Sequence, residues 1–364
     1  MGGSGVTVLF CFFAGVSNYK DPFIKSYLKY VKETRKFIKK LEDVKDDAGL
    51  IGDLDRYLNK LDVFFENFKF IDKFDDEDFI YWIESKVKGK VSNVKLVATP
   101  LTIDKELQEN LYAHLQNIVF TSATIAIEEN FDYFKNSIGL DENTIDKVIH
   151  SPFDYDNQMT VYVPMDMLNP SDRNFNDDVV EFLRAKIVAT EGKTFILFTS
   201  YQALNYVYYS LRDTLEKNGL DIFVQGTLPR THLLDMFKKS NNPVLFGTDS
   251  FWEGVDIKGE KLSNVIIIKL PFKVPTDPVT EAIIENITKQ NKNSFMEYQI
   301  PEAVIKFKQG IGRLIRSKKD KGTITILDNR VITKRYGSYF MNSIPTKNIK
   351  VLTKSQILRD ILNK

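Results

Sequence analysis

Apolar residues recur at steps of three and four between about Ile24 and Phe70, the period of helices with one buried face. Two such runs are separated by Asp46-Asp47-Ala48-Gly49, whose composition is typical of a turn. The pattern predicts a small antiparallel helical hairpin. Four lysines lie on its first helix: Lys32, Lys36, Lys39 and Lys40. They fit either a solvated helix face or a groove that follows the backbone of single-stranded DNA.

Shorter apolar runs flank the hairpin. Val6–Val16 is too short to span a bilayer and follows no basic residue, so it predicts a buried strand rather than an anchor or a signal. Residues 79–102 have an extended pattern, and a helix is predicted over Glu106–Leu115. Ile118-Val119-Phe120 then predicts a buried strand that leads into Thr121-Ser122-Ala123-Thr124.

From about residue 150 onward, short apolar runs alternate with amphipathic runs, as in parallel strands joined by crossover helices. Strands are predicted at Val161–Val163, Thr194–Phe198, Ile222–Val224, Val244–Gly247, Val265–Leu270 and Thr323–Leu327. Helices are predicted at Asp177–Ala189, Tyr201–Asn218, Thr231–Ser240, Val279–Gln290 and Pro301–Arg316. The strands are continuous stretches of Ile, Val, Leu and Phe, which favours burial on both faces. The predicted fold class is therefore α/β: a doubly wound parallel sheet with helices on both faces, preceded by the small helical hairpin.

Composition narrows the classes of function. The 364 residues include 50 basic and 49 acidic side chains, a net charge of +1, so any nucleic-acid contact must be a local patch. The single cysteine, Cys11, excludes an internal disulfide and a cysteine-ligated iron–sulfur cluster or zinc site within one chain. That usage fits a reducing, cytoplasmic setting. The three histidines are far apart in the sequence and predict no metal site.

The most specific segment is Gln309–Arg316, which reads Gln-Gly-Ile-Gly-Arg-Leu-Ile-Arg. On the predicted helix, Gln309, Arg313 and Arg316 share one face without an intervening acid. Planar guanidinium donors on such a face suit a transferring phosphoryl group, although chance arginines on a solvated face give the same spacing. The glycines at 310 and 312 each cost about 1 kcal/mol inside a helix, so they imply close approach to another group.

Two loops follow predicted strands, the place where open α/β sheets bind ligands. Phe198-Thr199-Ser200 ends a strand and opens a helix, so its hydroxyls either hold a nucleic-acid phosphate or cap the helix. Gly247–Asp256 combines hydroxyls with three acids and a tryptophan. The hydroxyls of Thr248 and Ser250 suit DNA phosphates, and the acids suit a ribose or the arginines.

One apparent phosphate-binding motif does not hold. Gly192-Lys193-Thr194 resembles the end of a P-loop, but position 187 is isoleucine where that motif requires glycine. The tripeptide also precedes its strand, whereas a P-loop follows one. A loop that enters a strand is the better interpretation. The acidic run Asp75-Asp76-Glu77-Asp78 is interpreted as an exposed turn, because no apolar strand leads into it to make a magnesium-binding DExH box.

These segments resemble, in the same order, motifs of DinG-type helicases, which are relatives of XPD/Rad3 within helicase superfamily two. The matching segments are Leu96–Pro100, Thr121–Thr124, Ser151–Tyr155, Leu197–Tyr201, Gly247–Asp256, Leu270–Pro275, Gln309–Arg316, Leu327–Arg330 and Tyr336-Gly337. The likeness spans roughly residues 80–340, and Ser250–Asp256 favours DinG over XPD itself. It implies a RecA-like lobe and, for the family, ATP hydrolysis coupled to movement along single-stranded DNA.

The resemblance also implies roles for individual residues. Those implied to close on the ATP phosphates are Gln309, Arg313 and Arg316. Those implied to bind nucleotide are Glu253, Gly254 and Asp256. Those implied to contact single-stranded DNA are Phe198, Thr199, Ser200, Thr248 and Ser250. Those implied to couple nucleotide state to strand movement are Ser122, Ala123 and Thr124.

The chain departs from the family pattern because it has neither the Walker A lysine nor the DExH acids of the first motor lobe. ATP with Mg²⁺ is therefore expected to be held mainly by that lobe, a partner if separately encoded. We expect residues 1–78 to form a linker, an apolar segment and an arch-like hairpin, 79–150 a connecting segment, and 151–364 the RecA-like C-terminal lobe. A truncated product, a split gene or an engineered domain would each account for this.

Two functions follow. The leading hypothesis is the C-terminal motor portion of a DinG-like helicase, without an iron–sulfur cluster or a membrane partner and inactive in ATP hydrolysis alone. The alternative is a non-catalytic module that binds single-stranded DNA or a partner protein. Polarity, substrate structure and oligomeric state are not determined by the sequence.

Overall fold

The computed structural model describes residues 6–10, 16–44, 48–88, 91–253 and 261–363. The chain divides into two compact units. The N-terminal unit comprises Met1–Lys105 with Thr276–Ile283, and the C-terminal unit comprises Glu106–Pro275 with Ile284–Lys364. No helix among the described residues is long and apolar enough to cross a membrane.

The N-terminal unit contains the predicted helical hairpin. Its helices are α1 (Val16–Val44) and α2 (Ala48–Lys73), and the predicted turn at Asp46-Asp47 lies outside the described residues. The hairpin accompanies a three-stranded antiparallel sheet of β1 (Val6–Phe10), β2 (Phe79–Lys88) and β3 (Val91–Pro100), in the order β1-β3-β2. The strand predicted over Val6–Val16 thus forms over its first five residues, whereas residues 11–15 are not described.

Aromatic and aliphatic side chains hold α1 against α2. Val31, Ile38 and Leu58 form a small buried cluster between the helices. The Tyr27 ring stacks on Phe65 with 3.9 Å between ring centroids, and its hydroxyl donates to Asp62 Oδ1 at 2.6 Å. Burial and the neighbouring Asp62 carboxylate raise the pKa of Tyr27 to about 12. The heptad-like spacing of apolar residues therefore builds a real interhelical contact.

The C-terminal unit is built on a seven-stranded parallel sheet in the order β10-β4-β9-β8-β5-β7-β6. The strands are β4 (Met159–Pro164), β5 (Thr194–Leu197), β6 (Asp221–Val224), β7 (Pro243–Gly247), β8 (Asn264–Ile267), β9 (Gly322–Ile326) and β10 (Ile349–Leu352). All six strands predicted for this region are confirmed to within a few residues. The sheet is RecA-like, as expected.

Helices join these strands in the alternation that the sequence predicts. In the connecting segment and the start of this unit they are α3 (Asp104–Asn110), α4 (Asp132–Ile138) and α5 (Tyr155–Gln158). Around the sheet they are α6 (Phe175–Ala189), α7 (Tyr201–Lys217), α8 (Arg230–Lys239), α9 (Asp249–Trp252), α10 (Pro278–Lys289), α11 (Ile300–Ile311), α12 (Arg330–Thr333), α13 (Gly337–Asn342) and α14 (Lys354–Leu362). A π-helical turn, Phe295–Gln299, leads directly into α11.

Burial on both faces explains the unbroken apolar strands. Successive side chains of a strand point to opposite faces, and in β5 Phe195 and Leu197 join one hydrophobic cluster while Ile196 and Phe198 join the other. Helix α11 covers the first face, and helices α6 and α7 cover the second. Because helices cover both faces of the sheet, the strands do not alternate between apolar and polar residues.

The strand predicted at Ile118-Val119-Phe120 is wrong. These residues have no regular structure, and Val119 is 86% exposed. A strand requires a neighbour to satisfy its backbone donors and acceptors. Residues 118–120 pair with no strand of either described sheet, so they lack such a neighbour.

The Gly192-Lys193-Thr194 tripeptide enters a strand, as interpreted from the sequence. Gly192 has φ +79°, a conformation that favours glycine, and a Cβ there would approach the Asn242 carbonyl oxygen to 2.7 Å. Strand β5 begins at Thr194. Gly192 is therefore needed for the turn before β5. The tripeptide does not open a helix, as a phosphate-binding loop would.

Candidate functional site

A cleft of about 690 Å³ in the C-terminal unit brings together three of the motifs recognised in the sequence. It is lined by Ala123 and Thr124, by the 151–153 segment, and by Gln309, Arg313 and Arg316. The most distant of these residues, Ala123 and Arg316, are 193 positions apart along the chain (316 − 123). The tertiary structure therefore joins the implied coupling residues to the implied phosphate-contacting residues.

The arginines do not lie on a helix face. Helix α11 ends at Ile311, although the sequence predicts it to continue to Arg316. Beyond the end of the helix, the buried Asp320 carboxylate accepts the backbone N–H of Arg316 at 2.7 Å and that of Ser317 at 2.8 Å, which holds these two residues in a non-helical turn. Hydrogen bonds of this kind, from the backbone to a nearby side chain, compete with the helix, and the spacing of apolar residues does not reveal them. The predicted i, i+4, i+7 stripe is thus wrong.

Arg313 connects the cleft to the loop after β7. Its side chain is only 7% exposed, and its Nε and Nη2 both donate to the backbone carbonyl of Trp252, at 3.1 Å for Nε. The Trp252 indole is fully buried and donates to the Phe198 carbonyl oxygen at 2.9 Å. Because two nitrogens of one guanidinium donate to the same backbone carbonyl, they fix the position of that loop relative to the cleft.

Gly310 is required by the same tryptophan. A Cβ at Gly310 would lie 2.8 Å from the Trp252 ring, closer than such atoms pack. The predicted close approach is therefore confirmed for Gly310. At Gly312 a Cβ would meet only backbone oxygens of the preceding helix, that of Lys308 at 3.2 Å and that of Gln309 at 3.7 Å.

Arg316 and Gln309 occupy the cleft differently from Arg313. Arg316 is exposed, and Gln309 is half-buried with an Oε1 that has no hydrogen-bond partner among the described residues. Lys308 also lines the cleft and donates to the Ala126 carbonyl oxygen at 2.7 Å. Partial burial lowers the pKa of Lys308. The cleft therefore presents cationic groups and one unsatisfied acceptor.

The connecting segment that carries Ala123 and Thr124 is anchored to the sheet domain by polar contacts. Tyr133 donates to Glu302 at 2.5 Å, and the same carboxylate pairs with Lys273 at 2.6 Å. Burial and the adjacent Glu302 charge raise the pKa of Tyr133. Asn342 donates to Glu128 at 2.7 Å. Ser122 itself is exposed, and its Oγ accepts the backbone N–H of Thr124.

The loop after β7 places its hydroxyls unequally. Thr248 is 2% exposed, whereas Ser250 is exposed. Asp249 pairs with Lys306 of α11 at 2.5 Å. Glu253 is exposed, and its backbone carbonyl accepts a hydrogen bond from Arg230. Gly254 and Asp256, both predicted to bind nucleotide, lie outside the described residues.

The loop after β5 also contains both buried and exposed residues. Phe198 belongs to the core, where it stacks on Phe246 with 6.0 Å between centroids. Thr199 is half-buried and Ser200 is exposed. Ser200 caps α7, because its Oγ accepts the N–H of Ala203 at 3.2 Å. Only the two hydroxyl residues of this predicted trio present side chains to solvent.

Gln225 is a further residue of the site, and its position in the sequence alone does not single it out. It directly follows β6, and its amide bonds to Tyr201, Thr248 and Ser250. Its position directly after a strand is a signal of a binding site, but the Gln225-Gly226 pair also fits an ordinary turn. Its partners follow two other strands, β5 and β7, so only the folded sheet identifies it.

The residues present fit a polyphosphate better than a metal ion. Exposed Arg316, buried Arg313 and the Gln309 amide suit the oxygens of phosphate and ribose. Within the part of the chain that the structure describes, no group of three or more His, Cys, Asp or Glu side chains could hold a metal ion.

Comparison with known proteins identifies the family of these motifs. Residues 184–347 match the family described as the helicase C-terminal domain. The chain is 36% identical over 288 residues to the 3'-5' exonuclease DinG of Bacillus subtilis, covering 78% of this chain and 31% of that protein. It is 35% identical over 330 residues to the ATP-dependent DNA helicase YoaA of Haemophilus influenzae, covering 91% of this chain and 50% of that protein. The chain thus spans at most about half the length of these relatives.

A solved XPD helicase structure has the same fold. It superposes with a TM-score of 0.55 at 19% identity, covering 86% of this chain and 56% of that one. The chain therefore belongs to the DinG-type, XPD/Rad3-related helicase family and corresponds to its C-terminal portion, with the second RecA-like lobe.

Proposed function

We propose that this chain is the C-terminal motor portion of an ATP-dependent DNA helicase that moves along single-stranded DNA. The observation that carries the proposal is the cleft in which Gln309, Arg313 and Arg316 meet Ala123 and Thr124. A cationic cleft that adjoins a segment leading to another lobe is suited to sensing a nucleotide held between the two.

The two arginines take different parts in this proposal. Exposed Arg316 contacts the γ-phosphate and stabilises charge that develops during its transfer. Arg313 is a positioning residue as well as a cleft residue, because its guanidinium holds the Trp252 carbonyl and with it the loop that carries Ser250. A change at the nucleotide is thereby transmitted to the strand-facing loops.

The chain contains no P-loop lysine, so the nucleotide with its Mg²⁺ must be held by a first motor lobe. The proposal therefore includes inactivity of this chain alone. Positioning of the phosphates for attack supplies much of phosphoryl-transfer catalysis, and arginines without a positioned nucleotide have nothing to act on.

The test is an ATP-hydrolysis assay with single-stranded DNA. We expect negligible turnover by the purified 364-residue chain, and turnover when a P-loop lobe from a relative is added as a separate polypeptide. Arg316→Ala should lower kcat of the reconstituted enzyme by roughly a thousandfold, the lower range for arginine fingers. Arg335→Ala removes an exposed arginine outside the cleft and is the matched control.

Turnover by the chain alone that disappears in Arg313→Ala would contradict the proposed inactivity. An unchanged kcat for Arg316→Ala in the reconstituted enzyme would remove the arginine from the mechanism. Binding of single-stranded DNA with no turnover in any combination would support the alternative, a non-catalytic binding module.

A further inference from the structure

The carboxyl ends of three adjacent strands meet in one hydrogen-bond network, which we call the Gln225 network. It consists of Tyr201, Gln225, Thr248 and Ser250, which follow β5, β6 and β7. These strands are neighbours in the order β5-β7-β6. Ligands of open parallel sheets bind at this edge, so a network here lies where a ligand would.

The Gln225 amide forms all of the hydrogen bonds that it can. Its Nε2 donates to the Tyr201 hydroxyl at 2.7 Å and to Ser250 Oγ at 3.1 Å. Its Oε1 accepts from the backbone N–H of Thr248 at 2.5 Å and from the Thr248 hydroxyl at 3.0 Å. A primary amide has two donors and two acceptor lone pairs, and all four are used.

The orientation of this amide follows from its partners. A backbone N–H can only donate, so the side-chain oxygen must face Thr248 and the NH₂ must face Tyr201 and Ser250. The hydroxyl oxygens of Tyr201 and Ser250 therefore act as acceptors toward Gln225. Each keeps its own O–H proton for a donor bond elsewhere.

Both hydroxyl residues are accessible from solvent. Tyr201 is 52% exposed, and Ser250 is also exposed. Ser200 beside Tyr201 is arranged in the same way, since its Oγ already accepts the N–H of Ala203. The edge thus presents O–H donors, which suit phosphate oxygens, next to an aromatic ring, which suits a nucleobase.

We propose that Gln225 is the positioning residue of a single-strand binding edge, where it holds Tyr201 and Ser250 together as one nucleic-acid contact surface. In this arrangement Gln225 itself does not touch the bound nucleic acid. It sets the hydroxyl protons of both partners outward and fixes the Tyr201 ring beside Gly226, where a Cβ would lie in van der Waals range of the ring. The inference rests on the proposed function, because it assumes that the lobe binds single-stranded DNA.

Gln225→Ala and Gln225→Glu test the role of the amide in different ways. Alanine removes the network. Glutamate keeps the size but has no donors, so the Tyr201 and Ser250 hydroxyls must turn inward to donate to it. Gln202→Ala removes an exposed glutamine of α7 outside the network and is the matched control.

The measurement is fluorescence anisotropy of the 364-residue chain with a labelled oligothymidylate of about 20 nucleotides, long enough for typical site sizes. We expect both Gln225 variants to bind about tenfold more weakly, a loss equivalent to one or two hydrogen bonds. Gln202→Ala should bind like the wild type. Thermal melts of every variant separate weaker binding from poorer folding.

A mutant cycle separates positioning from a merely structural contribution. In a Tyr201→Phe/Ser250→Ala background the hydroxyls that Gln225 orients are gone, so adding Gln225→Ala should change affinity by less than about twofold. An equal tenfold loss in both backgrounds would refute positioning through these hydroxyls. Wild-type affinity in Gln225→Ala would refute the inference and leave the proposed function standing, whereas absence of binding by the wild type would overturn both.

Discussion

At the scale of single residues, Trp252 is the centre of the candidate site although it touches no solvent. Its carbonyl accepts from Arg313, its indole donates to the Phe198 carbonyl, and its ring lies against Gly310. One buried side chain thereby links the arginine segment to the loops after β5 and β7. The tryptophan fixes the distance between these parts because a packed core does not deform gradually.

This arrangement predicts opposite behaviour for two neighbouring glycines. Gly310→Ala should lower the free energy of unfolding by roughly 1–3 kcal/mol, because a Cβ overlaps a ring that cannot move. Gly312→Ala is the matched control and should change it by less than about 0.5 kcal/mol, because alanine adopts the φ of −62° at this position without strain and its Cβ would contact only backbone oxygens, at 3.2 Å or more. Urea denaturation measures both, and equal effects would contradict the packing role of Gly310.

At the scale of elements, the helical hairpin and the arginine segment show where periodicity succeeds and where it fails. The hairpin is long and regular, so its apolar spacing predicted both helices. The arginine segment leaves its helix at Ile311, and beyond that point the Asp320 carboxylate holds Arg316 and Ser317 in a turn that no spacing rule reveals. Local capping decided the geometry of the site.

The hairpin also predicts a pH-dependent contribution to stability. The raised pKa of Tyr27 means that folding favours the neutral phenol, so its stabilisation is complete below pH 10 and is lost as the pH rises through about 12. The difference in unfolding free energy between wild type and Tyr27→Phe should therefore shrink across this window. Chemical denaturation from pH 9 to 12 measures it.

Tyr57→Phe is the control for this experiment, because Tyr57 is exposed on α2 of the same hairpin. A Tyr27→Phe difference that stays constant over the whole window would show that the bond to Asp62 does not influence folding.

At the scale of the whole molecule, the two units differ in how much core each contains. Both large hydrophobic clusters, one on each face of the parallel sheet, belong to the C-terminal unit. Within the described part of the N-terminal unit, two smaller clusters contain three buried residues each. A core that covers both faces of a seven-stranded sheet is sufficient for a domain to fold by itself.

We therefore predict that a chain beginning at Glu106 folds without residues 1–105. It should show a cooperative thermal transition by circular dichroism, and Leu204→Ala should destabilise it by roughly 2–5 kcal/mol because Leu204 is fully buried in the second cluster. A gradual transition, or one that Leu204→Ala leaves unchanged, would show that this unit depends on the rest of the chain.

The sequence by itself determined the alternation of strands and helices, the parallel sheet and the family motifs, because burial on two faces and turns after strands leave local patterns. The tertiary structure decided which motifs share a cleft, that Arg313 holds a buried carbonyl while Arg316 is exposed, and that Gln225 joins three strand ends. It also decided that Val119 lies in no strand. These facts depend on which segments become neighbours in space, and a one-dimensional pattern carries no record of such contacts.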